Sequence, residues 1–362
     1  NQRGLRHLAY TSVQGAELLF PNYFLYDNDR YLAKGHLASA FEEISVRARP
    51  AKPIGVFGAA WDDAGLHNET FWLGWATVAQ NGWTPGLVSV TQTTAEFMDI
   101  FYGPNVTQMV EVYQALQRQA RFFESSWDRV ISRVRGPGYG NSDGKGIGTT
   151  RYDYTLPTPS LPVLPGLDFT PIYNSGKYGK LVDSARSAAI ENDLLTHRIH
   201  ENIRRADRNR YNLEIFLSLA ELTGHQNHLI LGMRSIEDRL QAARDAAQKA
   251  SQAQALGELV AAYGTAKGVV AERRDVFGNL KTIWGKSRYP KGQEVIGKKF
   301  VHVLDDVKDH WADRRADLSY MIAPEETIEL EKWMEQLGGL IQEYARKHTL
   351  LVQPLEEIRL ED

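Results

Sequence analysis

A small-residue apolar run that passes through a polar cluster straight into a helix constrains this chain more than any other feature. The segment 53–60, PIGVFGAA, reads as a buried strand. The cluster 61–70, WDDAGLHNET, follows it, and residues 71–80 then have helical spacing with Phe71, Trp72, Trp75 and Val78 facing inward. Upstream, residues 5–13 read as a second strand, and residues 37–46 as a helix with Leu37, Phe41 and Ile44 on one face. Strand–helix–strand–helix at this size is the pattern of parallel α/β units. Two such units leave a parallel sheet with bare faces and bare edges. The expectation is therefore that a missing N-terminal stretch, or else other chains, supplies further strands.

The rest of the chain has a different texture. Residues 94–134 read as helical, with Phe97, Ile100 and Phe101 first and a longer run from Val106. Residues 135–177 form a Gly/Pro-rich connection. From 178 to about 283 the pattern is helical throughout, with Leu229, Met233, Ile236 and Leu240 in one stripe and Leu256, Leu259, Val260 and Tyr263 in another. After a Gly/Lys turn at 289–292, residues 300–311 and 324–348 again read as helices. The expected organisation is α/β plus all-α. Residues 1–134 would be the C-terminal strand–helix units of a (β/α)8 TIM barrel with following helices, 135–177 the connection, and 178–362 a helical bundle of antiparallel neighbours.

Composition narrows the partners. A formal net charge of -3 over 362 residues gives no electrostatic reason to expect nucleic acid or an anionic membrane. No apolar run approaches the roughly 20 residues a membrane span needs. The chain has no cysteine, so disulfide and thiolate chemistry are excluded, and nothing in its composition calls for a cofactor or a metal. The 16 Tyr and 8 Trp matter more, because the apolar face of a pyranose stacks on an indole or phenol ring. In a parallel barrel the residues at the C-terminal ends of strands line the site. Here that position holds Trp61, Asp62 and Asp63, with His67 close behind: an indole to stack and carboxylates to accept hydrogen bonds from sugar hydroxyls. The alternative is that Trp61 is core and that Asp63 or Asn68 caps the next helix.

The order of small-residue strand, Trp, one residue, acid, then a helix ending near a Trp resembles the eighth-strand region of family 20 glycoside hydrolases, the β-N-acetylhexosaminidases. The resemblance implies that Trp61 closes an aromatic pocket round the 2-acetamido group and that Asp63, where the family has Glu, binds hydroxyls. The family's seventh strand leads to Tyr-x-Asp, whose Tyr bonds the acetamido carbonyl. The nearest match here is Tyr26 and Asp27, with Tyr23 and Asp29 as neighbours and a spacing that departs from the family's. The implied chemistry is retaining hydrolysis in which the substrate's own acetamide oxygen attacks the anomeric carbon. The family's catalytic Asp-Glu pair has no counterpart, since the chain contains no Asp-Glu dipeptide. The expectation is thus a chain that holds substrate-binding residues, no catalytic residue, and no activity by itself. Another TIM-barrel glycosidase and a non-catalytic carbohydrate-binding or assembly module are the alternatives.

Weaker patterns carry less. The run 140–144, GNSDG, matches a nucleophile elbow but lacks the flanking strand and helix. His197/His200 and His225/His228 each share a helix face at i, i+3 without an evident third metal ligand. The segment 305–315 reads as a salt-bridged surface, with Trp311 as an outside candidate for a sugar contact. Two acceptor sequons, at Asn68 and Asn105, are short enough to arise by chance.

Overall fold

The computed structural model describes residues 6–12, 49–59, 67–84, 90–126, 156–287, 294–295, 298–299, 324–352 and 355. Two strands, β1 (Leu8–Ser12) and β2 (Gly55–Ala59), pair in parallel with Leu8 opposite Gly55 and Ser12 opposite Ala59. A 3-10 turn (Asn68–Phe71) leads into α1 (Trp72–Trp83), which packs on one face of the pair. Gly58 makes that approach possible: a Cβ there would sit 2.9 Å from the Trp75 ring and 3.2 Å from Val78. The opposite face carries Leu8, Tyr10 and Phe57, exposed by 55%, 54% and 54%, with the Tyr10 and Phe57 rings stacked at 5.8 Å. Helical residues prevail elsewhere, so the helical part of the expectation holds; of the expected barrel, the described residues contain one short parallel pair and the helix packed on it. The predicted helix 37–46 lies outside the described residues.

Then come α2 (Val90–Tyr102), α3 (Met109–Ser125), α4 (Gly176–Arg205), α5 (Arg210–Gln248) and α6 (Gln252–Gly285). A short antiparallel pair, β3 (Glu294–Val295) and β4 (Lys298–Lys299), precedes α7 (Pro324–Lys347). Helix α5 is the axis of the bundle. Residues 215–220 are six in a row and all buried, which no amphipathic surface helix allows. It touches α3, α4, α6 and the 3-10 turn. At 39 residues it runs about 58 Å. Its pairing with α6 is antiparallel: Glu214 meets Lys286, Glu221 meets Asn279, His228 meets Glu272, and Arg239 meets Glu258. The first three partners step by seven residues along each helix, the spacing that keeps one seam in contact in a left-handed coiled coil.

The Gly/Pro-rich connection ends as an ordered strap over this bundle. Leu156, Leu167 and Tyr173 are fully buried. The buried Glu237 of α5 accepts the backbone N–H groups of Ile172 at 2.7 Å and Tyr173 at 2.8 Å, so a carboxylate satisfies these two donors in place of a strand partner. One continuous hydrophobic core runs from Phe71 through α2–α6 to Ala345 of α7. Among the described residues, no helix is long and apolar enough to cross a membrane.

Candidate functional site

Parallel pairing in register makes β1 and β2 end on the same edge of the sheet, at Ser12 and Ala59. In sequence, β1 leads to Tyr26 and Asp27 and β2 leads to Trp61, Asp62 and Asp63. These five lie outside the described residues, as do the 140–144 loop and the 305–315 segment.

His67 is the sequence-predicted site residue that is described, and it is only 3% exposed. Its Nδ1 accepts the backbone N–H of Glu69 at 3.2 Å and caps the 3-10 turn. Its Nε2 lies 3.0 Å from Ser287 Oγ and 3.2 Å from Tyr211 Oη. The ring packs edge-on against Tyr211 and Trp284, with centroids at 5.7 and 5.2 Å. Since Nδ1 is an acceptor, the neutral ring carries its proton on Nε2. It therefore donates towards Ser287 and Tyr211 and does not serve as their base. The Ser287–His67 contact is an anchor, not a nucleophile pair.

Two residues on, Glu69 ends a second chain of hydrogen bonds. Its Oε2 accepts from Trp72 Nε1 at 3.0 Å and from Asn212 Nδ2 at 3.1 Å, while its backbone oxygen accepts from the same amide nitrogen at 2.6 Å. Asn212 Oδ1 in turn accepts the Tyr102 hydroxyl at 2.5 Å, and Tyr102 lies 2.6 Å from the Tyr113 hydroxyl. With its own proton committed to Asn212, Tyr102 accepts from Tyr113. Burial, with the neighbouring phenol a lesser cause, pushes Tyr102 well above the ordinary tyrosine value, and burial pushes Tyr113 up as well. Both stay neutral, as the donor chain requires. Sequence reasoning singled out His67, but it missed Tyr211, Asn212, Ser287 and Tyr102. Their partners lie up to 220 positions away, beyond the reach of any local periodicity.

A separate cluster joins α5 to α6. Glu272 lies 2.6 Å from His228 Nδ1 and 3.4 Å from His225 Nδ1, the latter without an aligned hydrogen bond. Among the described residues, no group of three histidine, cysteine or acidic side chains is disposed to hold a metal ion. An open groove of about 520 Å³ at the start of α4 is lined by Ser175, Lys180, Arg186 and Arg234. Its two arginines already pair with Asp183 and Asp238, at 3.3 and 2.8 Å. No protein-family model matches the chain, and no curated protein or solved structure is significantly similar to it.

Proposed function

We propose that this chain carries the sugar-binding end of a family 20-like β-N-acetylhexosaminidase. Such an enzyme removes terminal β-linked N-acetylhexosamine from oligosaccharides or glycoconjugates. The observation that carries the reading is the in-register parallel pair, covered by α1 on one face and bearing Leu8, Tyr10 and Phe57 on the other. A barrel wall has this asymmetry, with helices outside and apolar side chains pointing to the interior. Both strands end towards the sequences that hold the aromatic and acidic residues, which supports a site on that edge.

On this reading Trp61 packs against the acetamido group, Asp63 accepts sugar hydroxyls, and Tyr26 donates to the acetamide carbonyl beside Asp27. Asp62 shapes the mouth. His67, buried as it is, acts from behind by fixing the chain that leaves the site. The acetamide oxygen attacks C1 while an acid supplied from outside this chain protonates the departing oxygen. Water then opens the cyclic intermediate with net retention. The carbohydrate is the sole partner this requires, with no cofactor or metal.

The test is hydrolysis by the protein made from its whole coding sequence. A chromogenic N-acetyl-β-glucosaminide should be cleaved and the plain β-glucoside should not. Cleavage of the glucoside at an equal or better rate removes the acetamide-assisted mechanism and leaves another TIM-barrel glycosidase. Trp61→Ala should weaken binding by roughly 1–3 kcal/mol, the scale of a lost aromatic surface. Unchanged KM and kcat in that variant would sink the assignment of Trp61.

A further inference from the structure

We propose that the groove between the strap, the start of α4 and the middle of α5 is a saccharide-binding subsite, in which two arginine–aspartate pairs, Arg186–Asp183 and Arg234–Asp238, hold hydroxyl groups. It lies wholly in the helical half of the chain and goes beyond the hydrolytic reading above, on which it does not depend.

Each pair is local to its own helix. Asp183 and Arg186 lie one turn apart on α4, at 3.3 Å. Arg234 and Asp238 lie one turn apart on α5, where the guanidinium grips the carboxylate twice, at 2.8 and 3.0 Å. Among the described residues, no hydrogen bond or ion pair crosses the groove from one pair to the other. Elsewhere the charged groups of α5 do reach across: Glu214 meets Lys286, His228 meets Glu272 and Arg239 meets Glu258, all on α6. Arg118 of α3 likewise meets Glu191 of α4 at 2.6 Å. Here the pairs face a gap of about 520 Å³, within the roughly 300–1,000 Å³ of small-molecule sites.

The walls of the gap are set before anything binds. Glu237 holds the N–H groups of Ile172 and Tyr173, and the Tyr173 hydroxyl donates to the Pro157 carbonyl at 2.7 Å, which ties the strap down beside the groove. Gly179 lets the strap lie against α4, since a Cβ there would sit 3.3 Å from the backbone carbonyl carbon of Asn174. Gly176, at φ 63°, leaves the floor bare: a Cβ on it would meet nothing within 4 Å. A wall already in place spares a ligand the cost of ordering it.

The lining selects the occupant. Lys180, Asp183, Arg186, Arg234 and Asp238 offer little to an apolar ligand. A simple anion would find Lys180, whose ammonium has no carboxylate partner among the described residues, but it would also meet two carboxylates. A hydroxyl donates and accepts at once, so two neighbouring hydroxyls accept from a guanidinium and donate to its aspartate together. Adjacent equatorial hydroxyls of a pyranose are gauche, with oxygens about 2.9 Å apart. That spacing matches the 2.8 to 3.3 Å between donor and acceptor within the two pairs. Pairs on opposite walls then take two edges of a sugar, with Lys180 as a further donor.

The experiment titrates N-acetylchitotetraose and cellotetraose calorimetrically into the chain of residues 1–362 and into its double variant Asp183→Ala/Asp238→Ala. At least one of the sugars should bind, with a Kd of about 0.1–5 mM, as polar contacts in an open groove allow. The double variant should weaken that binding about tenfold or more, since the donors stay and their partner acceptors go. Both aspartate side chains are largely exposed, at 77% and 57%, so the urea midpoint should not move. Should it fall, the single Asp183→Ala carries the test. Bound sugar should slow amide exchange in peptides covering 173–186 and 230–240. Absence of binding by both sugars overturns the subsite, as does binding that the variants leave unchanged or protection confined to other peptides. Binding of inorganic phosphate that Lys180→Ala abolishes, with neither sugar bound, would make the groove an anion site instead. Hydrolysis is no part of the readout, so a failure here leaves the glycosidase reading standing.

Discussion

The His225–Glu272–His228 cluster sets three titrations of different sign within one seam. The hydrogen bond to Glu272 holds His228 above the ordinary histidine value of 6.5, against a smaller opposing effect of burial. Burial holds His225 below that value, outweighing the attraction of Glu272, with Arg273 and His228 acting in the same sense as burial. Burial would raise Glu272, but the two histidines overcome it and bring its carboxyl to about 2. A histidine raised on folding stabilises while protonated, so the His228 share is complete below 6.5 and fades as pH rises through the raised value. The His225 share has the opposite sense, present at high pH and lost as pH falls through its lowered value. The Glu272 share is present above about 4.5 and lost on the way down to 2. His228→Gln should therefore cost more unfolding free energy at about pH 5.5 than at about pH 8.5 in urea titrations. A cost that grows with pH would exclude the charged pair as its source. In the sequence, the i, i+3 spacing correctly put both histidines on one helix. It could not tell which is buried, at 5% exposure, and which is half in water, because Glu272 lies 44 positions from His228 on another element.

Helix α5 owes its place to small residues where neighbours press closest. A Cβ on Gly232 would stand 2.6 Å from Val269 Cγ2 of α6, and one on Gly224 would stand 2.5 Å from Asn192 Oδ1 of α4. Gly264, on the exposed side of α6, meets nothing within 4 Å. Alanine gains about 1 kcal/mol over glycine within a helix, so Gly264→Ala should stabilise by up to that amount. Gly232→Ala makes the same gain but wedges a stiff β-branched side chain, at a cost of about 1–3 kcal/mol, and should come out neutral to destabilising. Urea midpoints of the two variants that shift upward together would show that α6 moves aside freely. The stripes read from the sequence were sound: Leu229, Met233, Ile236 and Leu240 are at most 1% exposed, and Leu256, Leu259 and Tyr263 are buried as well. What local pattern could not show was where one long helical run becomes three helices. The breaks fall at Asn209 and Ala250, held at φ 55° and 58°, with neither glycine nor proline to mark them. The strands were legible from their small and β-branched residues, but the pairing of residues 47 apart in sequence was an inference from topology, not from pattern.

Across the whole molecule, a single core joins the strand-bearing part to the bundle, yet one apolar surface stands outside it. Phe71, Leu73 and Val78 of the first part belong to the same buried cluster as Leu213, Phe216 and Trp284 of the second. Leu8, Tyr10 and Phe57, each more than half exposed, belong to no buried cluster among the described residues. Parallel sheets are buried on both faces, since their crossovers bring cover to each side. On the barrel reading, the missing cover is the interior packing supplied by the other strands. That makes the energetic standing of one residue depend on how much of the protein is present. In residues 1–362 alone, Phe57→Ala removes a ring that is half in water already and should cost about 1 kcal/mol or less. In the protein made from its whole coding sequence the same ring would fill a barrel layer, and its loss should cost about 3–5 kcal/mol. Denaturant titration of the two pairs of proteins gives both numbers, with the mutant cost in one subtracted from that in the other. Equal small costs would mean that Phe57 faces solvent in both, and no barrel wall could then be built on β1 and β2. A large cost confined to the longer protein would place further strands over Leu8, Tyr10 and Phe57, which is the geometry that a sugar site at the ends of β1 and β2 requires.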